Sequence, residues 1–363
     1  MKQIGKLIET ILKAIGYIAL FVFVLAAFSD RISPLIFVWA SYLGLFFPFI
    51  LGLNVFVFVF YLLSRQWKHI GIYLIVFLVC SGSIRTYFPF HTKTKNIPEN
   101  CIKVLTYNVM RFEKRRKHTK ENPNPVIQFI ADCDADIVCI QEYGFLNDDV
   151  VIEALKKTPY HFIEGLNSPH TGIPAGIAVF SKFPILKAEK IPYDSKYNAS
   201  FLFELDINGK RVTLINNHLE SNNLTKEERA DYYELTKEPN AEKLEVFTQM
   251  MHKRLTPAFK ARARQAQLVA KIIKEDENPY IIVCGDFNDT PISYTRRKIK
   301  GDLKDAFVST GKGMGISYNK HRFLFRIDHI LHSKNMKAYN CTIGTLKNSD
   351  HYPIWTYLEF KDS

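Results

Sequence analysis

Residues 280–288 read YIIVCGDFN: five apolar or aromatic positions, then a glycine, an acid, an aromatic and an amide. A continuous apolar run of that length is what a strand covered on both faces requires, and Gly285 marks its end. Working outward, seven further runs have the same character: 103–107, 136–140, 176–180, 201–206, 212–216, 327–331 and 355–360. Helical spacing over 126–133, 148–156 and 241–275 alternates with them, and Pro257 is expected to break the last helix. Strands of this kind interleaved with helices predict a layered α/β domain. The runs also stop in a consistent way. They end in Asn108, in Gln141-Glu142, in His218 and in Gly285-Asp286-Phe287-Asn288, while Asp328 lies in the 327–331 run and Asp350-His351 precede the last one. If these strands share a direction, their polar ends converge on the edge where α/β folds carry their sites. Singly, each is an ordinary turn former, solvated acid or buried histidine.

The first quarter of the chain differs in kind. Residues 32–64 contain no Asp, Glu, Lys or Arg, and neither do 14–29 and 69–84. A bilayer core asks for about 20 apolar residues in a helix, fewer when flanking Lys or Arg snorkel. Three transmembrane helices follow, at roughly 11–29, 35–63 and 69–88, the middle one interrupted at Pro48 and Asn54. Lys2, Lys6 and Lys13 precede the first, and Arg65 and Lys68 lie between the second and third, so the N-terminus is expected in the cytoplasm. Three spans then carry everything after Phe90 to the extracytoplasmic, periplasmic side of a multi-pass membrane protein. The expected organisation is a membrane anchor over 1–90, a polar linker over 91–100 and a catalytic domain over 101–363. Five cysteines follow the anchor without metal-like spacing, and Cys139 and Cys284 read as small buried hydrophobes inside strands.

Taken together, TYN at 106–108, DIVCIQE at 136–142, GIAVFSK at 176–182, NNHLES at 216–221, GDFND at 285–289, RIDHIL at 326–331 and SDH at 349–351 resemble the endonuclease/exonuclease/phosphatase family of metal-dependent phosphohydrolases. The resemblance spans residues 102–360. It implies a four-layer sandwich, two packed mixed β-sheets flanked by helices. It also implies Mg²⁺ (or Mn²⁺) as cofactor, held by Glu142 with Asn108 and Asp350, for which hard carboxylate and amide oxygens are suited. His351 takes the general-base or proton-relay role and the family pattern orients it through Asp328. Asp286 and Asn288 align the attacking water and the phosphate, and His218 donates to a phosphoryl oxygen. Met110, and Pro174-Ala175 before GIAVFSK, depart from the acids that DNA-repair and pancreatic-type nucleases carry at such places.

The chain carries 48 Lys+Arg against 36 Asp+Glu, a net charge of +12. Nine basic residues against two acids fall in residues 1–95, around the apolar segments. Residues 111–120, RFEKRRKHTK, hold six basics against Glu113, equal to the surplus of the remaining chain. Arg111, Arg115 and Arg116 there are candidate substrate contacts, for nucleic acid or an anionic phospholipid headgroup; a solvated charged loop is the plainer reading. The basic run 253–264 reads as an amphipathic helix face. The expected activity is phosphodiester hydrolysis, nuclease-type first, with a phospholipid or sphingomyelin-type phosphodiesterase or a phosphomonoesterase at the membrane as the alternative. A non-catalytic phospholigand binder is a third possibility, and an eroded site would be its sign.

Overall fold

A computed structural model describes residues 2–144, 147–165, 175–222, 240–320 and 324–361, with Glu228 and Lys237. Pro174 lies outside the described residues. Five helices come first: α1 (Lys2–Ala27), α2 (Trp39–Leu45), α3 (Phe47–Leu63), α4 (Trp67–Val79) and α5 (Ser81–Tyr87). Twelve strands follow: β1 (Ile102–Asn108), β2 (Ile137–Tyr143), β3 (Tyr160–Glu164), β4 (Gly176–Ser181), β5 (Ile185–Lys190), β6 (Ser200–Ile207), β7 (Lys210–His218), β8 (Tyr280–Asp286), β9 (Lys304–Asp305), β10 (Asp328–His332), β11 (Met336–Ile343) and β12 (Ile354–Phe360). They form two six-stranded sheets, ordered β11-β12-β1-β2-β4-β3 and β5-β6-β7-β8-β10-β9. Each sheet is mixed: β1 runs parallel to β2 and β7 parallel to β8, among antiparallel neighbours.

Alternation along the strands explains the layering. Val104, Ile137, Cys139, Val179, Leu214, Ile282 and Cys284 point into one core between the sheets. Their neighbours Leu105, Val138, Ile140 and Phe180 face a second core under the helices Pro125–Cys133 and Asp148–Ala154. Ile215, Ile281, Val283 and Leu331 face a third, with Ala266 and Val269 of the long helix and Ile299 of the helix Tyr294–Lys300. Both faces of β2, β4 and β8 are thus covered, which is why they read as nearly unbroken apolar runs, whereas β6 and β12 alternate buried and half-buried residues. All eight strands expected from sequence are present. The four not read, β3, β5, β9 and β11, are the four sheet edges. The six cysteines are free thiols, and Cys139 and Cys284 are fully buried between the sheets.

Two sequence expectations need correcting. The helix Ala241–Glu275 runs unbroken through Pro257, because Leu255, Ala258 and Phe259 on that turn are buried and packing offsets the lost backbone bond. Asn54 does not interrupt α3 either: its amide donates to Ala19 O at 3.1 Å and Ile50 O at 2.9 Å. The bend lies instead between α2 and α3, at 62°, with Pro48 in the first turn of the new helix, where its missing N–H costs nothing. By length and composition Lys13–Arg31 can cross a membrane, and up to three spans result if α2–α3 and α4–α5, bent by 65°, each count as one. Among the described residues, the large apolar side chains left exposed run from Ile11 to Phe90, apart from Tyr160, Leu186 and Leu324.

The N-terminal helices are seated on the sheet sandwich through residues 30–44 and 86–91. Asp30 pairs with Arg297 at 3.4 Å, and Tyr42 Oη lies 2.9 Å from Thr256 Oγ1. The Trp39 ring lies against His252, tilted by 31° with ring centroids 5.2 Å apart. Ile292 is buried in the core of the helical segment, beside Phe23, Phe47 and Tyr87. Gly44 meets it so closely that a Cβ there would lie 2.1 Å from the Ile292 carbonyl oxygen. His91 N donates to Gly311 O at 3.1 Å.

Two stability tests follow from these contacts. Gly285 has φ +120° and a Cβ on it would lie 2.0 Å from Asn217 O. Gly285→Ala should lose at least about 2 kcal/mol, seen as a lowered unfolding midpoint. His329, next to the buried Arg296–Asp305 pair, is pushed down to about 3, mainly by burial. Its folded form stays neutral where the unfolded chain binds a proton, so its contribution is intact above about pH 6.5 and is lost as pH falls toward 3, at about 1.4 kcal/mol per unit. In denaturant titrations between pH 7.5 and 5, the difference in unfolding free energy between the wild type and His329→Gln should shrink with falling pH toward that slope, other titrating groups cancelling in the difference.

Candidate active site

Strand register brings the polar ends together. Asn108 is opposite Gln141 across the parallel β1–β2 pair, His218 opposite Asp286 across β7–β8, and Asp328 opposite Asp286 across β8–β10. The turn before β12 adds Asp350 and His351. Cross-sheet contacts close this end of the sandwich: Asn108 Nδ2 donates to Asp286 Oδ2 at 3.1 Å, and Gln141 Nε2 to Asn216 Oδ1 at 2.6 Å. The Asn216 amide in turn donates to Ile140 O and Ala178 O.

Asp286 is the centre. Its Oδ1 accepts from Asn288 N at 2.8 Å, and its Oδ2 lies 3.6 Å from His351 Nε2 and 3.8 Å from His218 Nε2. His351 Nδ1 is 2.8 Å from Asp328 Oδ2, so the imidazole is held between two carboxylates. Ser317 Oγ accepts from Asp328 N at 3.1 Å, while Ser349 Oγ donates to Asn108 O at 2.7 Å and accepts from His351 N. The Tyr318 ring edges onto His351 at 5.1 Å. Glu142, with φ +51°, receives Asn108 Nδ2 at 3.3 Å; Asn288 also has φ +51° and donates to Leu219 O. Left-handed backbone at two polar residues of one site is the strain that such sites hold.

Burial raises the Asp286 carboxyl to about 6, against the opposing pull of His351. Burial alone would lower His351, but the charges of Asp328 and Asp286 outweigh it and hold the imidazole up at about 10. Burial lowers His218, which therefore stays neutral against the attraction of Asp286. Glu142 keeps some solvent exposure, and desolvation followed by the charge of Asp350 raises its carboxyl.

A divalent cation fits these residues. The raised Glu142 carboxyl, in contact with the Asn108 amide, would be relieved by a positive charge. Donors are carboxylate and amide oxygens, the hard set that such ions take. Among the described residues, Asp286, Asp328 and His351 bring ligating atoms within 4.8 Å of one another, compact enough to hold a metal. That trio differs from Glu142, Asn108 and Asp350, which the sequence suggested.

The basic stretch beside Asn108 is unusual in backbone. Met110 through Arg115 all have positive φ, from 46° to 69°, in a left-handed turn costing about 1–2 kcal/mol per residue. It is held by Met110 N on Asn108 Oδ1, by Asn124 Nδ2 on Phe112 O and Arg116 O, and by the buried Phe112 ring against Tyr143. Arg111 lowers the Glu142 carboxyl by its charge, whereas Arg115 donates to Gly144 O and Arg116 to Glu113 and Asn122.

Sequence reading missed the residues that brace the site. Arg262, fully buried, donates to Glu220 O at 2.7 Å and Asn222 Oδ1 at 2.9 Å, and its Nε is 3.4 Å from Asp289 Oδ2. Gln265 accepts from Glu220 N at 2.9 Å. These two fix the loop after His218. The only signal for them was a cation and an amide on the apolar-facing side of the long helix.

A family model described as the Endonuclease/Exonuclease/phosphatase family matches residues 105–351. Residues 9–87 match one described as a domain of unknown function. The inositol phosphosphingolipids phospholipase C of Schizosaccharomyces pombe is 25% identical over 226 residues, 57% of this chain and 46% of that protein. The chain thus spans about half the length of the curated relative it matches. The human nocturnin catalytic domain shares the fold at TM-score 0.51 and 18% identity, over 73% of this chain and 96% of that one. A Leptotrichia buccalis protein of the same family gives 0.48 at 18% identity, over 71% and 100%. With its two mixed sheets, its convergent strand ends and a match over most of its length, the chain belongs to the endonuclease/exonuclease/phosphatase family of phosphoric ester hydrolases.

Proposed function

We propose that the chain is a membrane-anchored, divalent-metal-dependent phosphodiesterase acting on the phosphorylated headgroups of lipids at the bilayer surface. One observation carries this reading: the site loop is seated on the N-terminal helices. Ile292, packed among those helices, follows Asn288 by four residues, within about 14 Å of extended chain. The relative named for phospholipase C action on inositol phosphosphingolipids supports the same substrate class. Three spans over 1–90, a linker over 91–100 and a catalytic domain over 101–363 suit this arrangement. The contacts to the sandwich come from residues 30–44 and 86–91, while Lys2, Lys6, Lys13, Arg65 and Lys68 lie toward the other helix ends, which supports an extracytoplasmic catalytic domain.

In this reading Glu142, Asn108 and Asp350 would hold Mg²⁺ (or Mn²⁺), since Asp328 is engaged with His351. The bound ion would supply charge stabilisation at the phosphoryl oxygens. His351, held between the Asp328 and Asp286 carboxylates that favour its protonated form, would donate to a phosphoryl oxygen in place of the base role expected from sequence. Asp286, raised to about 6, accepts the proton of the attacking water, which Asn288 helps align. Neutral His218 donates a second hydrogen bond to the phosphate.

Nuclease-type hydrolysis is the second reading, favoured by the net +5 of residues 111–120. The internal partners of Arg115 and Arg116 weaken it.

The purified chain in Mg²⁺, given phospholipid and phosphosphingolipid vesicles in parallel with plasmid DNA and RNA, should release the phosphorylated headgroup from the vesicles. Cleavage of nucleic acid with vesicles untouched would favour the second reading. EDTA should abolish turnover, and Glu142→Gln and His351→Ala should each lower kcat at least about 100-fold with the fold intact. Full rates in both variants, or in EDTA, would sink the mechanism.

A further inference from the structure

Arg326 lies two residues before Asp328 and is 1% exposed. An unpaired guanidinium so buried would be expensive, and this one is spent on backbone carbonyls. Its Nη1 donates to Met314 O at 3.0 Å, its Nη2 donates to Thr86 O, and its plane lies over the Phe307 ring, 4.4 Å from the centroid. Thr86 is in the last turn of α5, where carbonyls lack intrahelical partners and the helix end is negative. The cation therefore closes the end of the N-terminal helical segment.

The other carbonyl leads to the chemistry. Met314 begins a short loop to Ser317, whose hydroxyl accepts from Ile327 N and Asp328 N and whose carbonyl accepts from Tyr352 N at 2.6 Å. The next residue, Tyr318, edges onto His351. The Asp328–His351 pair is thus held by a loop that Arg326 fastens to Thr86. Separately, Gly44 packs closely on the Ile292 carbonyl just downstream of Asn288.

We propose that Arg326 is a positioning residue that couples the end of the N-terminal helices to the Asp328–His351 pair, making those helices a working part of the catalytic site. Gly44 against Ile292 is the second fastening. This rests on the metal-dependent hydrolysis proposed above but not on the lipid as substrate, so it is read with a soluble chromogenic phosphodiester and Mg²⁺.

The test uses the full chain in detergent or nanodiscs, with rates normalised to the folded fraction. Arg326→Gln should lower kcat about tenfold or more with KM within threefold, the signature of misplaced catalytic groups. Arg326→Lys, which keeps the charge and one carbonyl bond, should recover part of that loss. In an Asp328→Asn background Arg326→Gln should add little, because both act through one pair. Gly44→Val, far along the chain from any catalytic group, should also lower kcat without raising KM. A wild-type protein inactive on the diester would fail the hydrolase reading itself. An active wild type with Arg326→Gln and Gly44→Val both at wild-type kcat would overturn the coupling. So would losses that follow the folded fraction alone, or full additivity with Asp328→Asn.

Discussion

The burial of one carboxylate organises this molecule. Asp286 sits at the end of β8 with almost no access to water, and no single neighbour neutralises it. Its partners come from both sheets: Asn108 from β1, His218 from β7, and His351 from the turn before β12. A buried charge is tolerable only when several donors converge on it. The two sheets must therefore meet at this end in one register, and the Gln141–Asn216 bond beside it fixes the same approach. Gly285 allows β8 to reach it, since any side chain there would strike the backbone of Asn217. Fold and site are in this sense one constraint, and the polar residues that make the sandwich costly at this edge are those available for chemistry.

The same constraint explains what the sequence could and could not disclose. Strands covered on both faces have little room for a charged residue, so β1, β2, β4, β7, β8 and β10 announce themselves as apolar runs, while β6 and β12, half-buried on one face, show alternation instead. Edge strands are covered only in part: Ile185–Lys190 is almost wholly exposed, and nothing in ILKAEK separates it from a loop. Site residues were legible because each interrupts an apolar run where it ends. The bracing residues Arg262, Gln265, Ser317 and Arg326 were not, since their meaning lies in partners far along the chain. Pro257 and Asn54 misled for a related reason. Local rules treat them as breaks, and here tertiary packing in one case and side-chain bonds to carbonyls in the other sustain the helix.

Charge needed the structure to be apportioned. Much of the +12 surrounds the apolar helices, and the basic run beside Asn108 divides further. Arg111 acts on Glu142 through its charge, while Arg115 and Arg116 tie the left-handed turn to Gly144, Glu113 and Asn122. Part of what looks like a polyanion-binding surface is thus the scaffolding of a strained turn. That shifts weight from bulk electrostatics toward position as the determinant of substrate.

Position favours the membrane. A hydrolase that merely needed a tether could hang from a long linker, with its site free to face any direction. Here the apolar helices touch the sandwich at the two loops nearest the chemistry, through Ile292 after Asn288 and Arg326 before Asp328. Fixing both loops costs conformational freedom that a simple anchor would leave untouched. On the proposed lipid substrate, that cost would hold the site at a constant height above the helix ends, which matters for a substrate confined to the bilayer plane and hardly at all for one arriving from solution. Effective concentration would then come from geometry, because enzyme and substrate would share a surface and need to search only within it.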